Sequence, residues 1–255
     1  MSETIKTLQD QFRHLRLSET AAELPTILRQ AEQASWTYRE FIQEIVRYEL
    51  EKREEKSIEK RMKWAKFPYL KALSEFDLEE QQSLTKRQLT QLEELNWLEK
   101  QYNLILLGPP GVGKTHLAIG VGIEAIQRGF QVMFVTMGEL VTLLKTQEYI
   151  RKSQVQLKRI QSSDLVIIDD LMYMAMDQRE ANLFFHLINH LYERSSIILT
   201  SNKSPDQWTE LMGDEGITTA ILDRLLHRVE VIKINDDSYR MKHRKSMFES
   251  DSVQN

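Results

Sequence analysis

The chain has 255 residues, 41% hydrophobic and 28% charged, enough to bury one large core, or a medium core with a small appendage, and too apolar for wholesale disorder. A net charge of -4 gives no overall basic footprint, so any contact with nucleic acid must come from local patches or from an assembly. Cysteine is absent, which excludes disulfides, thiolate metal sites and a cysteine nucleophile and fits a reducing cytoplasm; no apolar run approaches the roughly 18 residues of a membrane span, and the polar start Met1-Ser2-Glu3-Thr4 is no secretion signal.

Residues 1–66 contain no glycine and one proline, with apolar side chains at helical spacing: Ile5, Leu8, Phe12 and Leu15, then Phe41, Ile42, Ile45, Val46 and Leu50. This predicts a small all-helical module. Thr37 followed by Glu40 is a capping box that starts the second stripe at Tyr38. Residues 49–63 are dense in Glu, Lys and Arg, often of opposite sign at i,i+4, and read either as a solvated helix face or as a stalk for a partner or DNA. Phe67-Pro68-Tyr69 breaks the pattern and marks the joint to a second domain over residues 67–255.

Beyond the joint, short apolar runs alternate with helical segments. Residues 104–107, 131–135, 165–168, 196–200 and 229–234 read as strands. Thr136 with Glu139 and Asp177 with Glu180 start intervening helices, and Ser204 caps a turn with Pro205 in first position. Parallel strands need such crossovers, so the larger domain is expected to be α/β, a parallel sheet covered on both faces by helices.

The second domain opens its chemistry with Leu104-Ile105-Leu106-Leu107-Gly108-Pro109-Pro110-Gly111-Val112-Gly113-Lys114-Thr115, a buried-strand pattern running into G-x-x-x-x-G-K-T, the spacing of a P-loop. Glycines let successive N–H groups turn inward around an anion, and the helix starting near Lys114 adds its positive end. Lys114 is expected to reach the β and γ phosphates of ATP, and the Thr115 hydroxyl to ligate Mg²⁺. The apolar run 165–168 ends in Asp169-Asp170, delivering Asp169 to the metal shell and Asp170 to orient or deprotonate the attacking water. The run 197–199 ends in Thr200-Ser201-Asn202; Asn202 reads either as a contact to the γ phosphate or lytic water, or as ordinary turn chemistry. Residues 221–228 form a short amphipathic helix bearing Arg224 and Arg228, and Ser238-Tyr239-Arg240 adds another arginine; each is a candidate finger or a surface ion pair.

These blocks together resemble the AAA+ ATPases of the DnaC/DnaA clade, and most closely the IstB family of transposition helpers carried by bacterial insertion sequences. The resemblance is nearly full length and includes the block from Gly108 to Lys114, Thr115 and His116, the Asp169-Asp170 strand, Thr200-Ser201-Asn202, the run 220–227 and Ser238-Tyr239-Arg240. It implies a five-stranded parallel sheet and a nucleotide loop made by Gly108, Pro109, Pro110, Gly111, Val112, Gly113, Lys114, Thr115 and His116; the fifteen residues after Arg240 are too few for the separate helical lid common in AAA+ proteins, so no full C-terminal lid is expected. By the same resemblance Asn202 corresponds to sensor 1, Arg224 to an arginine finger acting on a neighbouring subunit, and Arg240 to sensor 2. Asp170 stands where many AAA+ proteins carry Glu.

The resemblance also implies ATP-bridged homo-oligomers on duplex DNA and cooperation with a transposase encoded nearby. Lys145, Arg151, Lys152, Lys158 and Arg159 form a locally basic segment between the second and third strands. It reads either as a solvated helix or as a track along DNA phosphates with little base readout. Three other functions share the P-loop: a helicase loader differing only in partner, a small-molecule kinase, for which no acceptor pocket with its own base is evident, and a scaffold that binds ATP without hydrolysing it.

Overall fold

A computed structural model of the chain describes residues 2–78, 81, 83–171, 176–208, 214–235 and 238–239. It divides into two compact units, Met1–Lys60 and Arg61–Asn255.

In the first unit, α1 (Ser2–His14) and α2 (Ser18–Gln33) pack on each other, followed by α3 (Tyr38–Ala65), which continues into the second unit. Thr37 starts α3 as expected: its amide and hydroxyl donate to the Glu40 carboxylate at 2.7 and 2.8 Å, and the Glu40 amide donates back at 3.3 Å. The charged stretch is largely solvated, with Arg47 bridging Glu44 and Glu51 on the exposed face. Glu49 departs from that expectation. It is 4% exposed, and its carboxylate accepts from the Thr20 amide (2.8 Å), the Thr20 hydroxyl (2.9 Å) and Arg53 Nε (2.8 Å). Conversely Ile42, Val46 and Leu50 are exposed on α3 although their spacing reads as an apolar stripe.

The second unit contains a short 3₁₀ turn (Leu73–Glu75), α4 (Lys86–Glu94), α5 (Asn96–Glu99) and then the five strands and their crossovers. These are β1 (Asn103–Leu107), α6 (Lys114–Gln127), β2 (Val132–Thr136), α7 (Met137–Thr146), α8 (Arg151–Gln161), β3 (Leu165–Asp169), α9 (Gln178–Leu191), β4 (Ser196–Ser201), α10 (Glu215–Leu226) and β5 (Val229–Lys233). The sheet is wholly parallel with strand order β2-β3-β4-β1-β5. The strands β1, β3 and β4 are buried along their whole length, as their unbroken apolar runs require.

Two crossovers differ from expectation. Between β2 and β3 there are two helices, because the chain turns at residues 147–150 without a glycine or proline to signal the break. The helix before β5 begins at Glu215, where the Asp214 side chain accepts the Ile217 amide at 2.9 Å, and ends at Leu226, leaving His227 and Arg228 beyond it. Ser204 and Pro205 start only a single 3₁₀ turn. The capping boxes at Thr136 and Asp177 are present. One face of the sheet packs against α7 to α10 through a core that includes Phe184, Leu187, Trp208 and Ile221. The other face takes α6, whose apolar residues are buried nearly all round.

Burial alone raises the Glu49 carboxyl, but the Thr20 amide and hydroxyl and the Arg53 guanidinium outweigh it and hold the group below its ordinary value of 4.5. Glu49 therefore stabilises the first unit at neutral pH, and that contribution disappears as the pH falls from the unfolded carboxylate value through the depressed folded one. Glu49→Ala, which strands the buried Thr20 donors, is expected to cost about 1–3 kcal/mol in urea unfolding at pH 7 and less at pH 3.

Candidate active site

Register places the site. Leu107 pairs with Ser201 and Ile168 with Leu199, so Gly108, Asp169 and Asn202 emerge together at the carboxyl edge of the sheet, where open parallel sheets bind ligands. A cavity of about 720 Å³ opens there. Pro110, Gly111, Gly113, Lys114, Thr115, Asp169, Asp170 and Asn202 line it, together with Lys66, Phe76, Gln81 and Tyr239.

The loop is shaped by its glycines. Gly113 has φ of +100° and caps α6, a conformation that L side chains rarely adopt. A Cβ on Gly108 would stand 2.0 Å from the Ile234 carbonyl oxygen, so the loop can leave β1 only with no side chain at that position. Lys114 folds back into the loop. It is 8% exposed, and its Nζ donates to the Gly108 and Pro109 carbonyls at 2.7 and 2.9 Å. Val112 is fully buried and serves packing, while Pro109 contributes a carbonyl.

His116 lines the same cavity, with its ring engaged by neighbouring residues. Its Nε2 lies 3.1 Å from the Ala72 carbonyl, and its ring meets Phe76 edge-on at 5.4 Å. A carbonyl only accepts, so Nε2 carries the proton; burial, the leading cause, lowers the pKa of this imidazole. His116 thus anchors the residues ahead of β1 against the loop.

Asp169 is the acid centre. It is 5% exposed; the Thr115 hydroxyl lies 2.9 and 3.1 Å from its two oxygens and donates to the carboxylate, and the Thr200 hydroxyl donates to Oδ1 at 2.6 Å. Burial pushes its pKa up and the charge of Asp170 adds to this, against the pull of the two hydroxyls and Lys114. A buried carboxylate beside a second acid and a threonine hydroxyl is an oxygen donor set suited to a hard divalent cation such as Mg²⁺, which Thr115 and Asp169 would hold. Asp170 follows at φ +55°, its amide donating to the Thr200 hydroxyl at 3.0 Å.

Several contributors are not among the site residues expected from the sequence. Thr200 reads as an ordinary β-branched strand residue, yet it touches both acids. Tyr239 donates its amide to the Gly111 carbonyl at 3.1 Å, tying residues after β5 to the loop. Lys66 lines the cavity, and its amine is lowered by burial and by the nearby charge of Lys152.

Arg224 is not in the cavity of its own chain. It lines a crevice with Asn103 and Ser195, beside the amino ends of β1 and β4. There its Nε donates to Asn189 Oδ1 at 2.9 Å, its Nη1 donates to the Ala220 carbonyl at 2.8 Å, and its guanidinium lies 4.8 Å from the Phe185 ring centre. Arg240 lies outside the described residues. Among the basic segment, Lys145 pairs with Glu180 at 2.7 Å, and Arg159 stacks on Trp64 at 4.9 Å. Arg151, Lys152 and Lys158 project from α8, whose opposite face is buried through Leu157 and Ile160.

A parallel sheet with this loop on the inner strand β1, and an acidic strand end facing the loop threonine, defines a P-loop ATP-binding domain of the AAA+ class. The chain belongs to the IstB-like ATP binding protein family, whose model matches residues 10–247. Over 248 residues it is 38% identical to a Bacteroides fragilis protein named as an insertion-sequence IS21-like ATP-binding protein, covering 97% of this chain and 94% of that one. It is also 38% identical to the Pseudomonas aeruginosa protein named for insertion sequence IS21 over 231 residues, 91% of this chain and 87% of the relative. The fold is similar to AMPPCP-bound DnaA from Aquifex aeolicus, with a TM-score of 0.52 and 25% identity over 65% of this chain and 50% of that one. Among the described residues, no helix is long and apolar enough to cross a membrane.

Replacing Lys114 by Ala removes the cation that the loop holds among its carbonyls. Equilibrium titration with a fluorescent ATP analogue is expected to show affinity lower by on the order of 100-fold with the melting temperature retained.

Proposed function

We propose that this chain is an ATP-hydrolysing assembly factor for insertion-sequence transposition, which oligomerises on duplex DNA with ATP at the subunit seams and there engages a transposase. The observation that carries the hydrolytic reading is the Thr115–Asp169 contact beside Asp170. The insertion-sequence names of the relatives support the transposition setting.

In this reading the loop amides and Lys114 bind the triphosphate, and Asp170 orients the attacking water and draws its proton. Asn202 fixes the γ phosphate or that water. Mg²⁺, held by Thr115 and Asp169, supplies charge neutralisation on the phosphates. The polarity of the parallel sheet supports a second subunit's involvement. Arg224 sits by the amino ends of the strands and the P-loop at their carboxyl ends, so a finger at Arg224 serves the site of a neighbouring copy. Nucleotide then acts as a switch, since a γ phosphate touched by both subunits favours the assembled state. The exposed cations of α8, repeated around an oligomer, support contact with the DNA backbone, and Lys145 contributes less because Glu180 already holds it.

Arg224→Ala is expected to bind ATP normally and to lose turnover by about 10³-fold or more in a phosphate-release assay. Asp170→Asn is expected to bind ATP, stay assembled on DNA and release no phosphate. Mixing the two variants is the sharper check, because Asp170→Asn subunits retain the finger for Arg224→Ala neighbours: activity should reappear in the mixture, and its absence would remove the trans assignment. Pull-down with a transposase against a replicative helicase separates the transposition reading from that of a helicase loader.

A further inference from the structure

Two carboxylates at the end of β3 have to be held in different orientations within one residue of each other, and one side chain touches the backbone or carboxylate of both. Thr200 lies in β4, is fully buried, and stands beside the turn formed by Asp169 and Asp170. Its hydroxyl donates to Asp169 Oδ1 at 2.6 Å and accepts the Asp170 amide at 3.0 Å, and its carbonyl accepts the Leu171 amide at 3.0 Å. Three consecutive residues of the acidic turn are thereby tied to one residue of the neighbouring strand.

Two features make the hydroxyl more than a satisfied core group. Asp170 has φ of +55°, a left-handed conformation uncommon outside glycine and asparagine-like residues, and the Thr200 oxygen receives the amide that this conformation presents. The second feature is position. Thr115 and Asp169 both line the cavity, whereas Thr200 is not among its lining residues and approaches Asp169 from the sheet side. A cation held by Thr115 and Asp169 would sit on the cavity side of the carboxylate, whereas the Thr200 bond reaches it from β4. Simultaneous donation to a carboxylate and acceptance from an amide requires a hydroxyl, which Ser retains and which Val and Ala lack.

We propose that Thr200 is a positioning residue for the ATPase reaction: its hydroxyl fixes the metal-facing orientation of Asp169 and the left-handed turn that aims Asp170, and so sets the divalent-cation requirement of the site. The inference rests on the reading above, in which Asp169 faces Mg²⁺ and Asp170 faces the attacking water.

The experiment compares the full-length wild type with Thr200→Val, Thr200→Ala and Thr200→Ser. One readout is the Mg²⁺ concentration giving half-maximal phosphate release, and the other is the Mg²⁺ dependence of equilibrium binding of a fluorescent, non-hydrolysable ATP analogue. Thr200→Val and Thr200→Ala are expected to raise the Mg²⁺ requirement in both readouts by about 10–100-fold, the range for loss of a group that orients a metal ligand, while analogue affinity in EDTA stays at the wild-type value. Thr200→Ser should return both to within a few-fold of wild type. A wild-type Mg²⁺ requirement in Thr200→Val or Thr200→Ala overturns the proposal, as does a serine variant that behaves like the valine one. If neither Val nor Ala folds while Ser does, the hydroxyl serves folding and the proposal is likewise overturned. A wild-type protein indifferent to Mg²⁺ overturns the metal reading itself, an outcome distinct from a Mg²⁺-dependent wild type with an indifferent Thr200→Val.

Discussion

The contact between the Thr115 hydroxyl and the Asp169 carboxylate joins the start of the loop helix to the end of β3, two places 54 residues apart in the chain. It can form only because β1 and β3 both flank β4 in parallel, with their carboxyl ends at one level. Every other element of the site is placed by that geometry: the glycine loop just beyond β1, Asn202 one step beyond β4, and Asp170 one step beyond β3. The sheet is thus less a scaffold with a site on top than a device for levelling three strand ends, and the unbroken apolar runs of β1, β3 and β4 are the sequence's means of burying it deeply enough to stay level.

Directionality is the second lesson of the parallel arrangement. All strands point the same way, so the unit has chemically different ends. The carboxyl end gathers loop amides, Lys114 and two acids; the amino end holds Arg224 between α9 and α10, flat on Phe185 and hydrogen-bonded to Asn189 and Ala220. Two of the five donors of this arginine are engaged within its own chain.

Much of this was legible from residue order. Strand ends fell within a residue of the observed ones wherever an apolar run met a polar or glycine residue, as at Leu107-Gly108 and Ile168-Asp169. The capping boxes at Thr37, Thr136 and Asp177 were readable because both partners lie within four residues. What could not be read depended on distance in the chain. Thr200 and Asn189 have meaning only through partners 31 and 35 positions away, and Glu49 is buried because Thr20 meets it across two helices. The break between α7 and α8 carries no local signal, because Gln147-Glu148-Tyr149-Ile150 contains no residue that disfavours a helix strongly. Ile42, Val46 and Leu50 show the converse error: helical spacing identifies an apolar stripe without saying that the same chain covers it.

The storage of Lys114 on two carbonyls has a consequence for ionic strength. Lys114 is only 8% exposed, within the loop that would receive an anion, so the mobile ions of the medium screen its attraction for a phosphate less than they screen a surface cation. The cations on the outer face of α8 stand in full solvent, where added electrolyte screens any phosphate they meet. Raising the salt therefore discriminates between the two kinds of anion contact on one molecule, loosening what is held at the surface long before what is held in the loop.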